Sequence, residues 1–272
     1  MSNPDIDSAF DNMAHVSGSA ALPGEWAQRA ASFRAKWHDV QTDLPYGPDE
    51  RQCFDLFLPA GAPGGLVVFV HGGYWMRLDK SYWSHLAEGA LSRGWAMAIP
   101  SYSLVPSARI ATITREISRA IEAAGRLIPG PILLSGHSAG GHLVTRMICH
   151  PSPLDTECLG RIAKVVTISG LHDLRPLLKA SMNDTLGLDA DEASSESPGL
   201  QEPVLGVPVS AWYGAAELPE FKRQAEFLRQ AWQTTGVEVP VHASQGDNHF
   251  TILNNLAAQS GRDPMDLLRT ES

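Results

Sequence analysis

The chain has 272 residues, of which 43% are hydrophobic and 19% are charged, so it is long and apolar enough to bury the core of an α/β domain. Its formal net charge of -9 and its lack of lysine and arginine clusters argue against a nucleic-acid backbone or an anionic membrane as a partner. The first residues lack the basic start and apolar core of a signal peptide, and no segment approaches a membrane span. We therefore expect a small-molecule substrate, with no nucleic-acid or membrane partner.

The cysteine and histidine content argues against disulfides and metals. The chain has an odd number of cysteines, namely Cys53, Cys149 and Cys158. We expect them to be reduced thiols in a cytoplasmic protein. The histidines and cysteines are scattered, without the C-x-x-C or H-x-x-x-H spacing of metal ligands, so the sequence predicts no metal and no cofactor. The helix faces are not apolar enough to predict an interface, which leaves a homodimer open.

Short apolar strands alternate with helical patterns along most of the chain. The predicted strands are Cys53–Leu58, Leu66–Val70, Trp95–Ile99, Pro131–Ser135, Lys164–Ser169, Pro208–Tyr213 and Glu238–Ala243. The predicted helices are Gly24–His38, Lys80–Arg93, Ile110–Leu127, Ala139–His150, Pro219–Thr234 and Thr251–Gln259. This alternation is typical of an α/β fold with a mostly parallel sheet and helices on both faces, and we predict one such domain over residues 1–272.

One long segment carries no predicted element. Residues 171–207 are rich in Asp, Ser, Glu and Pro. An irregular insertion of this length is typical of a small cap over a pocket, and a plain surface connection is the alternative. We expect a cap, and we expect the segment before Cys53 to wrap over the same opening.

The loop His71-Gly72-Gly73-Tyr74-Trp75 directly follows the apolar strand Leu66–Val70. Its two adjacent glycines allow the backbone to turn N–H groups inward, as HGGG-type loops do in lipases and esterases to form an oxyanion hole. A tight turn without chemistry is the alternative. The position of the loop, upstream of the candidate nucleophile, favours the oxyanion hole.

A G-x-S-x-G pentapeptide, Gly136-His137-Ser138-Ala139-Gly140, lies between a predicted strand and a predicted helix. That context is typical of a nucleophile elbow, in which a strained turn exposes the serine hydroxyl at the sheet edge. It makes Ser138 the candidate nucleophile and the N–H of Ala139 a candidate oxyanion donor. A small-residue turn without chemistry is the alternative, but the other motifs favour catalysis.

The base of a serine hydrolase of this type follows the last strand, and His249 occupies that position. His242 lies within the last predicted strand and is typical of an ordinary strand residue. His137 and His142 are too close to Ser138 along the chain to turn back onto its hydroxyl with a third group behind them. We therefore predict His249 as the base.

The acid should follow the strand before the last one, and Glu217 follows Pro208–Tyr213. Glu220 is an alternative, although it fits better in the first turn of the next helix. Asp247 is a second alternative that lies close to His249 along the chain. Glu217 is the preferred acid.

Together these motifs resemble the kynurenine formamidase (arylformamidase) branch of the α/β-hydrolases over nearly the whole chain. The signature loop HGGxW of that family matches His71–Trp75, and its elbow GHSAGG matches Gly136–Gly141. Its acid-x-Pro-Glu-Phe-x-Arg-Gln stretch matches Glu217–Gln224, and its His-Phe pair matches His249 and Phe250. The resemblance implies an α/β-hydrolase fold with a small cap.

The resemblance also implies roles for individual residues. It assigns the oxyanion N–H groups to Gly73 and Tyr74, and it assigns the triad acid to Glu217. It implies hydrolysis of an N-formyl arylamine such as N-formylkynurenine. The family is also rich in esterase-like members, so a carboxylesterase of short acyl chains is the alternative, and the complete set of motifs disfavours a non-catalytic binding module.

An arylamine leaving group requires an aromatic pocket and, for kynurenine, an anchor for its amino-acid head. Three aromatic residues beside the predicted motifs are expected to line that pocket, although each could equally belong to the core: Trp75, Tyr102 and Phe250. Three polar residues of segment 171–207 are candidate anchors: Asp173, Arg175 and Asn183.

Overall fold

A computed structural model describes residues 4–257, and within this range eight strands form one sheet. The strands are β1 (Val40–Pro45), β2 (Cys53–Phe57), β3 (Leu66–Val70), β4 (Ala96–Pro100), β5 (Ile132–His137), β6 (Ile162–Ile168), β7 (Val209–Gly214) and β8 (Val241–Ser244). Their order across the sheet is β1-β2-β4-β3-β5-β6-β7-β8. Strand β2 pairs antiparallel with both β1 and β4, whereas the remaining pairs are parallel. The predicted α/β fold is confirmed.

The helices lie between the strands and at the amino-terminal end of the chain. They are α1 (Pro4–Phe10), α2 (Asn12–His15), α3 (Leu22–Lys36), α4 (Ala87–Leu91), α5 (Ile110–Leu127), α6 (Ala139–Arg146), α7 (Thr156–Leu159), α8 (Asn183–Leu186), α9 (Ala190–Ser195), α10 (Pro219–Gln233) and α11 (Asn254–Ala257). From residue 4 to residue 257, no helix combines the length and the apolar character that spanning a membrane would require.

The central strands are buried on both faces, and their side chains divide between two cores. In β3, Leu66, Val68 and Val70 join one hydrophobic cluster, whereas Val67 and Phe69 join the other. Successive side chains of a strand point to opposite faces, so an uninterrupted apolar strand is the expected pattern for a sheet covered on both sides. Helix α5 adds Ile113, Ile117 and Ile121 to the first cluster.

The predicted helix Lys80–Arg93 is wrong, because the chain there forms two 3₁₀ turns before the short helix α4. Trp83 separates the two turns with φ −121° and ψ 3°, outside the helical region. Its indole packs 4.9 Å from the ring of Trp26 and 6.3 Å from that of Phe69, measured between ring centroids. The packing of this one side chain outweighs the local helical pattern.

Other boundaries differ for local reasons. Strand β8 begins at Val241 rather than Glu238, because Pro240 has no N–H to donate to the neighbouring strand. The edge strand β1 is absent from the sequence prediction. The predicted helix from Thr251 starts as a 3₁₀ turn and continues as α11, and its last two predicted residues lie outside the described range.

Helix α5 offers a test of the core. Ile117 is fully buried, and replacing it with alanine should reduce the free energy of unfolding by roughly 2–5 kcal/mol through lost burial and a residual cavity. Leu127 on the same helix is 51% exposed, so Leu127→Ala is the matched control and should change stability little. Urea unfolding followed by circular dichroism measures both. Equal losses in the two variants would contradict this packing.

Candidate active site

Ser138 lies at the turn between β5 and α6, with φ 54° and ψ −118°. A positive φ is unfavourable for a residue with a side chain and persists only where surrounding contacts enforce it. The Ser138 N–H donates to the carbonyl of Ile168 at 2.8 Å, and the Ser138 carbonyl accepts from the N–H of His142 at 3.1 Å. These bonds hold the serine between two parallel strand ends in the strained turn expected of a nucleophile elbow.

Two glycines allow the backbone to pack closely around this turn. A Cβ added at Gly140 would collide with the carbonyl oxygen of Val70, so only glycine lets α6 begin directly against the end of β3. A Cβ added at Gly72 would lie 2.9 Å from the Ser138 Cβ, so the His71–Trp75 loop is in contact with the serine. The structure therefore brings the two glycine-containing motifs together.

Glu217 and His249 meet at the same sheet edge. Nδ1 of His249 lies 3.1 Å from Oε2 of Glu217, and each residue is only 3% exposed. Oε1 of Glu217 accepts the N–H of Gly214 at 2.6 Å and the Ser169 hydroxyl at 2.5 Å. A buried carboxylate needs such donors to compensate for lost hydration, and the second oxygen is left for the imidazole Nδ1 proton.

The sequence reasoning missed Ser169. It follows β6 with φ 50°, is 1% exposed, and its N–H donates to the carbonyl of Trp212 at 2.6 Å. The available signal was a serine directly after a buried strand, at the same edge of the sheet as Ser138. Its hydroxyl fixes the orientation of the Glu217 carboxylate through Oε1.

Neither alternative acid contacts His249. The Glu220 carboxylate receives two hydrogen bonds from Arg223 at 2.8 and 2.7 Å. The Asp247 carboxylate accepts from Ser244 at 2.6 Å and from Asn255 and Thr251 at 2.9 Å, and so braces its own loop. Among the three candidates, the carboxylate beside the His249 imidazole is that of Glu217.

The other histidines are engaged elsewhere. Nε2 of His137 donates to the carbonyl of His249 at 2.7 Å, and burial, followed by the nearby His249, holds the pKa of His137 well below its ordinary value. Nε2 of His142 donates to the carbonyl of Glu196 at 2.7 Å, and burial lowers the His142 pKa to about 3. His242 stacks on Trp212. His137 is therefore a neutral support for the loop that carries His249.

Ser138 and His249 line the same cavity, whose volume is about 300 Å³. Among the hydrogen bonds of residues 4–257, none joins the Ser138 hydroxyl to His249. In unliganded hydrolases this bond is often long and shortens only when substrate is bound. Ser138 and His249 therefore line the same cavity without a hydrogen bond between their side chains.

The candidate oxyanion donors surround Ser138. Gly73 and Tyr74 line the cavity with φ values of 111° and 52°, and Ala139 is the first residue of α6. In the described part of the chain, no group accepts a hydrogen bond from the N–H of any of these three residues. Free N–H groups at a helix start and in a left-handed loop are suited to an oxyanion.

The expectation that Trp75 and Tyr102 line the substrate pocket is wrong, because both side chains are fully buried in the core. Trp75 packs edge-on against His142 at 5.1 Å between ring centroids. Tyr102 stacks on His71 at 4.4 Å, and its hydroxyl donates to the His71 carbonyl at 2.9 Å. The aromatic residues that line the cavity are Phe10, Trp26, Tyr74, Trp83 and Phe250.

Comparison with known proteins identifies the family of the chain. The sequence model described as the alpha/beta hydrolase family matches residues 67–268. The chain belongs to that family. As a hydrolase it is similar to the kynurenine formamidase of Danio rerio, with 26% identity over 228 residues, 80% of this chain and 77% of that protein.

Solved structures extend the comparison. A suggested thioesterase from Silicibacter sp. TM1040 is 47% identical to this hydrolase, with a TM-score of 0.91 over 96% of this chain and 97% of that chain. Esterase B from Lactobacillus rhamnosis is 19% identical, with a TM-score of 0.69 over 92% of this chain and 93% of that chain, and shows the shared fold. The chain is therefore a kynurenine formamidase-like hydrolase of the α/β-hydrolase fold.

Removing the Ser169 hydroxyl tests its support of Glu217. Ser169→Ala should lower the kcat of the hydrolase about 10–100-fold with little change in KM, because a misplaced carboxylate no longer orients His249. Ser210→Ala is the matched control, since Ser210 is also buried in a neighbouring strand but its hydroxyl has no partner. Steady-state kinetics on a p-nitrophenyl ester measure both variants. A similar loss of kcat in Ser210→Ala would indicate a general packing defect instead.

Proposed function

We propose that this hydrolase cleaves an N-formyl arylamine, such as N-formylkynurenine, to the free arylamine and formate through a Ser138–Glu217–His249 triad. The observation that carries the proposal is the 3.1 Å contact between His249 and Glu217 beside the strained turn of Ser138. The similarity to kynurenine formamidase supports the choice of a formamide.

In the first half of the reaction, Nε2 of His249 takes the Ser138 proton as the hydroxyl oxygen attacks the formyl carbon. Glu217 keeps the proton on Nδ1 and stabilises the imidazolium that forms. The N–H groups of Gly73, Tyr74 and Ala139 hold the oxyanion, and each such donor lowers the barrier by roughly 3–4 kcal/mol in known enzymes.

In the second half, the imidazolium of His249 protonates the departing nitrogen, and the C–N bond breaks to leave a formyl ester on Ser138. Water, deprotonated by His249, then attacks that ester and releases formate. An aniline-type amine is a weaker base than an alkyl amine, so it leaves more readily than the amine of a peptide bond.

The cavity supports an aryl leaving group. Its aromatic wall includes Trp26 and Phe250, whose ring centroids lie 5.7 Å apart. The formyl group needs little space, so most of the volume is available for the arylamine. Segment 171–207 contributes Ser181 and Met182 to the wall, and we propose that it acts as the cap.

Hydrolysis of an ester or thioester is the second candidate. The similarity to a suggested thioesterase, 47% identical to this chain, supports this second candidate. The same triad and oxyanion donors would serve this reaction, since a thiolate or alkoxide also leaves from a tetrahedral intermediate. The two candidates differ in the leaving group.

We also propose a cytoplasmic location. All three cysteines are unpaired in the described residues, and burial raises the pKa of Cys149 to about 12 and that of Cys158 to about 11. Thiols of this kind are inert structural groups, which suits a reducing compartment.

The substrate test compares N-formyl-L-kynurenine with a short p-nitrophenyl ester and a short-chain acyl thioester, with Ser138→Ala as the blank. We expect a higher kcat/KM for the formamide and a loss in the variant on the order of 10⁶ in kcat, as for other triad serines. Ester or thioester turnover without formamide turnover would favour the second candidate. A variant rate near that of the wild type would contradict the role of Ser138.

The acid test compares isosteric amides. Glu217→Gln should lower kcat on the order of 10³–10⁴-fold, because an amide can hold His249 in the wrong tautomer and cannot stabilise the imidazolium. Glu220→Gln and Asp247→Asn are the controls and should change kcat only a few-fold. A larger loss in either control would move the acid role away from Glu217.

A further inference from the structure

The amino-terminal helices α1 and α2 form one wall of the cavity above Ser138. They contribute a run of lining residues, Asp7, Phe10, Asp11, Asn12 and Met13. This wall faces a cavity that also contains Ser138 and His249. Residues 4–15 therefore border the cavity that would hold the leaving group in the proposed reaction.

Hydrogen bonds hold this wall against the oxyanion loop and segment 171–207. The Tyr74 hydroxyl, kept protonated because burial raises its pKa, donates to the carbonyl of Phe10 at 2.6 Å. The N–H of Ser181 donates to Oδ1 of Asp7 at 2.6 Å. The wall is thus joined both to the candidate oxyanion loop and to segment 171–207.

Asn12 is the unusual residue of this wall. It is 3% exposed, and neither Nδ2 nor Oδ1 has a hydrogen-bond partner among the described residues. A buried amide without partners is unfavourable, whereas a ligand group that both donates and accepts would satisfy it. The Trp83 indole N–H, in the same cavity wall, is likewise unpartnered and offers one further donor.

Charges of both signs accompany this amide. Arg77 lines the cavity, and among residues 4–257 its guanidinium takes part in no hydrogen bond or ion pair. Asp7 and Asp11 line the cavity as well, and each already accepts one backbone N–H through a single oxygen. A ligand carrying one positive and one negative group would match this arrangement better than a ligand of a single charge.

The polar candidates of segment 171–207 do not reach the cavity. The Asp173 carboxylate pairs with Arg175 at 2.8 Å, and the Asn183 amide bonds the backbone of Leu188 at 2.9 and 3.1 Å. None of them lines the cavity. The anchoring role is therefore left to the amino-terminal wall.

We propose that Asn12 is the specificity-determining residue that binds an α-amino-acid head on the leaving group. Both amide atoms are enclosed in the cavity wall, so a rotation of the Asn12 side chain is needed to bring them to the ligand. The N–H₂ then donates to the substrate carboxylate and Oδ1 accepts from the substrate ammonium, with Arg77 and Asp11 supplying the complementary charges. The inference names the substrate class of the same site and rests on the function proposed above.

Calorimetric binding to the full chain tests this role without turnover. The probes are L-kynurenine and 2′-aminoacetophenone, which share the aryl ketone but differ in the amino-acid head. Wild type should bind L-kynurenine at least about 10-fold more tightly, and Asn12→Leu should abolish that difference while leaving the affinity for 2′-aminoacetophenone unchanged. Met13→Leu, the matched control in the same wall, should keep the difference.

No preference in the wild type, or a preference retained in Asn12→Leu, would overturn the proposal. Asn12→Asp is a second variant that keeps the size and polarity of the side chain but exchanges its donor for an anion. It should weaken L-kynurenine selectively, and an equal weakening of both probes would indicate a structural role instead. Binding and turnover are measured in separate experiments, so the two proposals can fail independently. If the enzyme hydrolyses only esters but Asn12→Leu still loses the preference for L-kynurenine, the role of Asn12 is supported and the formamidase function is contradicted.

Discussion

The constraint on which the rest of the structure depends is the left-handed turn at Ser138. Its φ of 54° is matched at Tyr74 and Ser169, with φ values of 52° and 50°. Ser138 and Ser169 directly follow the parallel strands β5 and β6, and Tyr74 lies in the loop after β3. Unfavourable backbone conformations persist only where neighbouring contacts over-determine them. The carbonyls of Ile168 and Trp212 accept from the N–H groups of Ser138 and Ser169, so each of these two turns is held by the neighbouring strand.

This coupling explains why the charged part of the site can be buried. The Glu217 carboxylate is 3% exposed, and without donors its desolvation would be strongly unfavourable. The donor on Ser169 is correctly placed only because that residue occupies its strained turn after β6. The backbone conformation at Ser169 and the hydrogen bonding of the Glu217 carboxylate are therefore coupled, so a change in one affects the other.

The same physics explains what the sequence could reveal. Helix α5 and strand β3 have the predicted bounds, because long apolar periodicity and a short apolar run are signals contained within each segment. Strand β1 has exposed residues at four of its six positions, so its sequence lacks the alternation of apolar and polar residues that would predict a strand. The burial of Trp75 depends on how its strained loop packs against His142, and the burial of Tyr102 depends on its stacking against His71. These are tertiary contacts, which no local sequence pattern encodes.

The cavity illustrates why the triad motifs cannot identify a substrate. Ser138 and His249 follow strands of the central sheet, whereas another wall of the cavity comes from α1 and α2, more than one hundred residues before Ser138 in the chain. His15 of this wall hydrogen-bonds the carbonyl of Ala216 at 3.0 Å, directly before Glu217. A wall attached to the acid loop, the oxyanion loop and segment 171–207 can change its lining side chains without altering the sheet. Leaving-group selection can therefore vary among hydrolases that share the same catalytic geometry.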